Sequence, residues 1–108
     1  MRRYASLRRR ADFARLRRYG RRASGRTLTL YLTDAPGDDP TSLVGITVNK
    51  SIGKAVVRNK LRRRLAAIVN DALGERQALR LVVVARPAAA NADYVTLQAE
   101  FLSAFRRV

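Results

Sequence analysis

The segment of residues 54–73 constrains the fold more than any other part of this chain. Its apolar side chains recur at spacings of three and four residues, at Val57, Leu61, Leu65, Ile68 and Ala72. This spacing places them in one stripe along an α-helix. The pattern therefore predicts a helix that buries one side against the rest of the protein and leaves the other side at the surface.

The surface side of this predicted helix is densely cationic. The polar and basic residues that project from it or flank the apolar stripe are Lys54, Arg58, Asn59, Lys60, Arg62, Arg63 and Arg64. Like charges four residues apart, as in Lys54, Arg58 and Arg62, repel by about 0.2–0.5 kcal/mol per pair. No acidic residue lies between Thr41 and Asn70. Ordinary solvated faces mix the two signs of charge, so a polyanion is the favoured ligand and a merely solvated face is the alternative.

The charge balance of the whole chain favours a nucleic acid as that polyanion. The 108 residues carry a formal net charge of +15, and 18 of the 23 basic residues lie in residues 1–26 and 50–64. Distributed cations of this kind match phosphates, and 47% hydrophobic content indicates a folded domain rather than a basic tail. Twenty of the cations are Arg, which suits RNA recognition, although genomic base composition would explain that preference equally well.

Composition also excludes several classes of protein and site. The basic segments lack the broad apolar face that inserts into lipid, and no stretch approaches the ~18 apolar residues of a membrane-spanning helix. Cysteine is absent, which rules out disulfides and fits a reducing compartment. We therefore expect a cytoplasmic protein with neither a membrane nor DNA as its partner.

The remaining patterns predict a single α+β domain over residues 1–108. The predicted order is helix, strand, strand, helix, strand, helix, over residues 11–18, 26–33, 42–49, 54–73, 79–85 and 93–108. The strands that flank the basic helix should be parallel, and the first two strands can pair as a hairpin. Helices would then cover one face of a small sheet, giving a two-layer sandwich. We expect residues 1–10 to be flexible and residues 21–25 to form a turn.

The opposite face of the predicted sheet would be polar and partly open. Strand periodicity places on it Thr27, Thr29, Tyr31, Thr47 and Asn49. Tyr31 is favoured as a side chain that stacks on an unpaired base. Phe13, in the first helix, fits either that role or a place in the core.

Catalytic groups are scarce. Histidine and cysteine are absent, and the eight acids are scattered, whereas a protein nuclease gathers carboxylates around metal ions or uses a His base. We therefore expect no catalytic residue and no metal site in the protein alone.

Several segments resemble the bacterial ribonuclease P protein component. The family signature G-x-A-V-x-R-N-[RK]-[IL]-[KR]-R is matched without a gap by residues 53–63, and residues 45–50 fit the strand that precedes it. Further matches lie at residues 12–13, 19–21, 30–31 and 83–87. The resemblance covers about residues 5–107, which is nearly the whole chain.

This resemblance implies a function and a fold. The family assists a catalytic RNA that removes the 5′ leader of precursor tRNA, with Mg²⁺ held mainly by the RNA. Its strand–helix–strand unit has a left-handed crossover. The resemblance implies contact with the catalytic RNA at Arg58, Asn59, Lys60, Arg62 and Arg63, and contact with the leader at Phe13, Tyr31, Asn49 and Lys50. We expect Lys54, from the cationic series, at the first surface and Arg17 at the second.

Two positions depart from the family pattern. Arg17 stands where many members carry a second aromatic residue, so a phosphate contact is expected there instead of stacking. Ala66 stands where a basic residue often continues the cationic helix, and Arg64 is a substitute nearby. The alternatives to this function are a ribosomal-type structural RNA-binding protein and, more distantly, a nuclease that acts without RNA.

Overall fold

The computed structural model describes residues 2–74 and 77–108, which form three helices and a five-stranded sheet. The elements in chain order are β1 (Ala5–Ser6), α1 (Arg10–Tyr19), β2 (Arg21–Ser24), β3 (Leu28–Asp34), β4 (Leu43–Thr47), α2 (Ala55–Leu73), β5 (Leu79–Ala85) and α3 (Tyr94–Arg107). Short 3₁₀ turns, Lys50–Ile52 and Pro87–Asn91, precede α2 and α3. The α+β class is confirmed, as are all three predicted helices.

The strand order in the sheet is β1-β4-β5-β3-β2. β4 and β5 are parallel neighbours, as the intervening helix predicted. The predicted hairpin of the first two long strands, β3 and β4, is wrong, because β5 lies between them and pairs antiparallel with β3. The apolar run from Val82 to Val84 fits the central position of β5, since a strand that is covered on both faces has a continuous apolar run.

Two short strands extend the sheet beyond the sequence prediction. Residues 21–25 were expected to form a turn, but Arg21–Ser24 is β2, which pairs antiparallel with β3. The segment expected to be flexible contains β1, which pairs parallel with β4, and the flanking Tyr4 and Leu7 are buried. Met1, also in that segment, lies outside the described residues. These strands of two and four residues are too short to show an alternating pattern.

The main core lies between one face of the sheet and the helices α2 and α3. Alternate residues of β3, Leu28, Leu30 and Leu32, point into it as predicted. In α3, the rings of Phe101 and Phe105 pack edge to face, with centroids 5.2 Å apart.

The other face of the sheet, predicted to be polar and partly open, is covered in part by α1, so the three helices do not all lie on one face as predicted. Leu7 and Leu16 pack there against Val82 of β5 in a second, smaller core. Thr27 and Thr29, which were expected at an open surface, are 0% and 7% exposed. Val82 and Val84 of β5 face this side, and burying their apolar surface stabilises the packing of α1 on it.

Candidate RNA interface

Helix α2 presents the cationic face that its sequence predicts. It begins after Lys54 and ends before Gly74, whose positive φ of +50° favours glycine. Leu61, Leu65 and Ile68 are buried, so the apolar stripe is confirmed from its second turn onward. Val57, the first residue of the predicted stripe, is instead 37% exposed.

The predicted RNA-contacting side chains of α2 are available at the surface. The exposed ones are Lys54, Asn59, Lys60, Arg62 and Arg63, while Arg58 and Arg64 are half-buried at the edges. In the described part of the chain, the ion pairs Arg21–Asp34 and Arg80–Asp39 involve no residue of α2. Within residues 2–74 and 77–108, the exposed cations of this face form no ion pair with a carboxylate, whereas Arg64 at its edge lies near enough to Asp93 to lower the pKa of that carboxyl group.

Local hydrogen bonds hold part of this face in place. The Arg62 guanidinium donates to the backbone carbonyl of Val48 and to the Asn59 side-chain oxygen, both at 3.3 Å. These bonds tie the middle of α2 to the end of β4. The buried Nε of Arg58 has no hydrogen-bond partner among the described residues.

A second candidate surface lies between α1 and the sheet. Phe13 of α1 packs over Gly45 of β4, and a Cβ atom at Gly45 would lie only 2.4 Å from the ring's Cζ. Tyr31 lies on the same face of the sheet, because Val82 is the register partner of both Tyr31 and Gly45. Both rings are half-buried against the second core. Each ring therefore anchors α1 on the sheet while part of its surface stays open to a ligand. Phe13 fits both interpretations, a core residue and a side chain that stacks on a base.

The other predicted leader-contacting residues extend this surface at both ends. Arg17 is exposed on α1, one turn beyond Phe13. Asn49 and Lys50 are exposed where the chain leaves β4. At ~3.3 Å per residue, Asn49 lies about 13 Å along the chain from Gly45. The five residues thus do not converge on one point but follow a path that suits an extended strand of RNA.

Sequence reasoning missed two cations beside this path. Arg22 of β2 is the register partner of Tyr31 and is exposed. Arg86 lies directly after β5, two positions beyond Val84, and its guanidinium donates to the carbonyl of Gly25 at 2.7 Å. Arg22 was missed because its segment was expected to form a turn. The signal available for Arg86 was the continued alternation of β5.

The carboxyl groups with shifted pKa values have structural roles. The pKa of Asp39 is lowered because its carboxylate accepts a hydrogen bond from the backbone N–H of Thr41 and pairs with Arg80. The pKa of Asp93 is lowered mainly because it caps α3, accepting from the N–H of Thr96 at 2.8 Å. Lowered values keep both groups ionised, which suits capping and pairing and does not produce a general acid at neutral pH.

Within residues 2–74 and 77–108, no three acidic, histidine or cysteine side chains come together as a possible metal site. None of the helices in the described part of the chain is long and apolar enough to span a membrane.

The chain is similar to one family of known proteins. A family model described as Ribonuclease P matches residues 1–108. The ribonuclease P protein component of Thermobifida fusca is 43% identical, with 94% of this chain and 74% of that protein covered. The corresponding protein of Acidothermus cellulolyticus is 46% identical, with 88% and 80% covered.

Solved structures give the same relationship. The RNase P protein from Thermotoga maritima matches with a TM-score of 0.81 at 26% identity, covering 95% of this chain and 96% of that one. The Staphylococcus aureus RNase P protein matches with a TM-score of 0.84 at 24% identity, covering 94% and 92%. At 24% identity, the likeness to the Staphylococcus aureus protein shows a shared fold.

Proposed function

The chain belongs to the ribonuclease P protein family, and from this premise we propose that it is the protein subunit of a ribonucleoprotein endoribonuclease. In this proposal the enzyme hydrolyses precursor tRNA in the cytoplasm and releases the 5′ leader, which is a step of tRNA processing. The RNA subunit carries the chemistry. The protein binds that RNA and the precursor.

The observation that carries this proposal is the cationic face of α2. It presents six RNA-contacting candidates within ten residues. None of the six forms an ion pair with a carboxylate of residues 2–74 and 77–108. The planar guanidinium groups of Arg58, Arg62 and Arg63 suit bidentate contacts with phosphate oxygens. Asn59, between them in the sequence, adds a donor and an acceptor that suit a 2′-hydroxyl or a base edge. We assign this face to the catalytic RNA.

We assign the surface between α1 and the sheet to the leader of precursor tRNA. Half-buried rings at Phe13 and Tyr31 offer flat apolar surface for unpaired bases, and Arg17 and Lys50 offer cations for the phosphates between them. The path along β4 fits an extended single strand better than a rigid duplex. A mature tRNA lacks the leader, so this surface would favour the precursor over the product.

Magnesium, in this proposal, is held mainly by the RNA subunit. No step is assigned to a metal bound by the protein's own side chains, because the described residues bring together no suitable group of ligands. The protein's contribution is to bind and orient the two RNAs and to reduce the repulsion between their phosphates.

A cleavage assay with the subunits separated and combined tests this function. Purified protein, the ribonuclease P RNA of the source organism, and both together are incubated with 5′-labelled precursor tRNA and magnesium. We expect no cleavage by nuclease-free protein and accurate release of the leader by the combination. Cleavage by the protein without RNA would contradict the proposal. Binding to the RNA with no effect on cleavage would favour the ribosomal-type alternative.

A further inference from the structure

A small pocket on α2 has no assigned role in the function proposed above. It lies between the first turns of α2 and the Pro87–Asn91 turn, and its volume is about 270 Å³. Its apolar lining is formed by Val56, Val57, Leu61, Ala89, Ala90 and Ala92. Lys60 and Arg64 stand among these residues. We call this cavity the valine pocket.

The two valines are not explained by folding. Val56 is 78% exposed and Val57 is 37% exposed, so burial in the core gives Val56 almost no stabilisation. β-Branched residues are also poorer helix formers than Ala. Isolated exposed apolar residues are common, but these two are adjacent, line a cavity, and begin the helix that carries the cationic face. Their exposure leaves apolar surface available for a ligand.

The chemistry of the pocket identifies the class of ligand. It is smaller than the ~300–1,000 Å³ of sites that enclose a whole small molecule, so a single flat group is the better fit. Valine methyls and alanine side chains suit the face of a planar ring, and a guanidinium can stack on a base. Lys60 and Arg64 supply charge for flanking phosphates. Asp93, beside Ala92, accepts a hydrogen bond from Thr96 and also interacts electrostatically with Arg64, so Lys60 is the less compensated of the two cations.

We propose that the valine pocket receives one unstacked nucleobase of the catalytic RNA, with Lys60 and Arg64 contacting phosphates beside it. This inference rests on the proposed function of α2 and adds Val56, Val57 and Arg64 to its RNA-contacting residues. A second copy of this chain is disfavoured as the occupant, because each copy carries a formal net charge of +15.

The affinity for the catalytic RNA, measured across a range of salt concentrations, tests the proposal. The double substitution Val56→Ser and Val57→Ser should weaken binding about fivefold to a hundredfold, the range of a lost base contact. The slope of log K against log salt should stay unchanged, because no cation has been removed. The matched control is Val95→Ser at a 72%-exposed valine outside the pocket lining, which should bind like the unmodified protein.

Chemical probing of the RNA bases provides the second readout. One base that is reactive in the free RNA should become protected by the unmodified protein. It should remain reactive when Ala90→Leu fills the pocket. Denaturant unfolding checks that each variant folds. If the double variant does not fold, the same measurements are made with the single substitution Val56→Ser. Equal affinity and equal base protection for folded variants would overturn the pocket assignment.

Two other outcomes would show which proposal is wrong, the function of α2 or the nucleobase in the valine pocket. If the unmodified protein shows no preference for the ribonuclease P RNA over an unrelated folded RNA, the function proposed for α2 fails, and not the pocket alone. If the valine substitutions abolish self-association in sedimentation while RNA affinity is unchanged, the pocket is an interface between copies and the nucleobase proposal is wrong.

Discussion

At the scale of single residues, neighbours in β3 have opposite roles. Leu30 is fully buried in the main core, whereas Tyr31 is half-buried on the face that α1 shares. A change of one position along a strand moves a side chain from one face of the sheet to the other. Stability and leader binding can therefore be tested separately at adjacent positions.

Replacing Tyr31 by Ala should reduce the preference of the holoenzyme for precursor tRNA over mature tRNA. Loss of a stacked base would cost about 1–3 kcal/mol of binding free energy. Tyr31→Phe keeps the ring and should retain most of the preference. Affinities for precursors with and without a leader give the measurement. An equal loss for both RNAs would rule out a leader contact.

Leu30→Ala is the matched control for stability, with an expected cost of about 2–5 kcal/mol in the free energy of unfolding. Tyr31→Ala should cost less, because its ring is only partly buried. Denaturant unfolding of both variants makes the comparison. Equal destabilisation would indicate that Tyr31 acts mainly as a core residue.

At the scale of elements, α2 combines a buried stripe that packs the helix with a cationic face whose Arg62 also holds the helix to the carbonyl of Val48. Replacing Arg58, Arg62 and Arg63 together by Ala should weaken binding to the catalytic RNA while the helix stays packed. Each lost phosphate contact should make the slope of log K against log salt shallower by about 0.7–0.9. An equal-charge control replaces the exposed Arg26, Arg106 and Arg107, and it should change the slope less.

The start of α3 depends on the ionised form of Asp93. Because its pKa is lowered in the folded protein from an ordinary value of 3.8, the stabilisation is present above that value and is lost as the pH falls through the folded-state pKa. Asp93→Ala should therefore lower the free energy of unfolding at pH 7, and the difference should narrow near pH 3. Unfolding curves at both pH values, with Asp38→Ala as an exposed control, check this. A difference independent of pH would contradict it.

Sequence patterns predicted long elements better than the pairing between them. The periodicity of α2 and the leucines of β3 are local signals, and the structure confirms both. The neighbours of β5 and the position of α1 depend on contacts between distant segments, for which no local pattern exists. The cationic face was therefore predictable in detail. Arg22 was missed because β2 was not predicted.

At the scale of the whole molecule, the excess of positive charge should act as a partial substitute for magnesium. A formal net charge of +15 offsets repulsion between the phosphates of the catalytic RNA and the precursor. Cleavage by the RNA with this protein should thus reach half its maximal rate at a lower magnesium concentration than cleavage by the RNA alone. Rates measured across a magnesium series test this, and identical midpoints would contradict it.

The central position of β5 in the sheet determines when the sheet can form during translation. β3 and β4 both hydrogen-bond to β5, so the sheet stays incomplete until residues 79–85 have left the ribosome. Both basic windows, residues 1–26 and 50–64, emerge earlier. A chain that has emerged as far as residue 64 thus carries most of its cations and no finished sheet, so we expect polyanions to compete with folding until β5 is available for pairing.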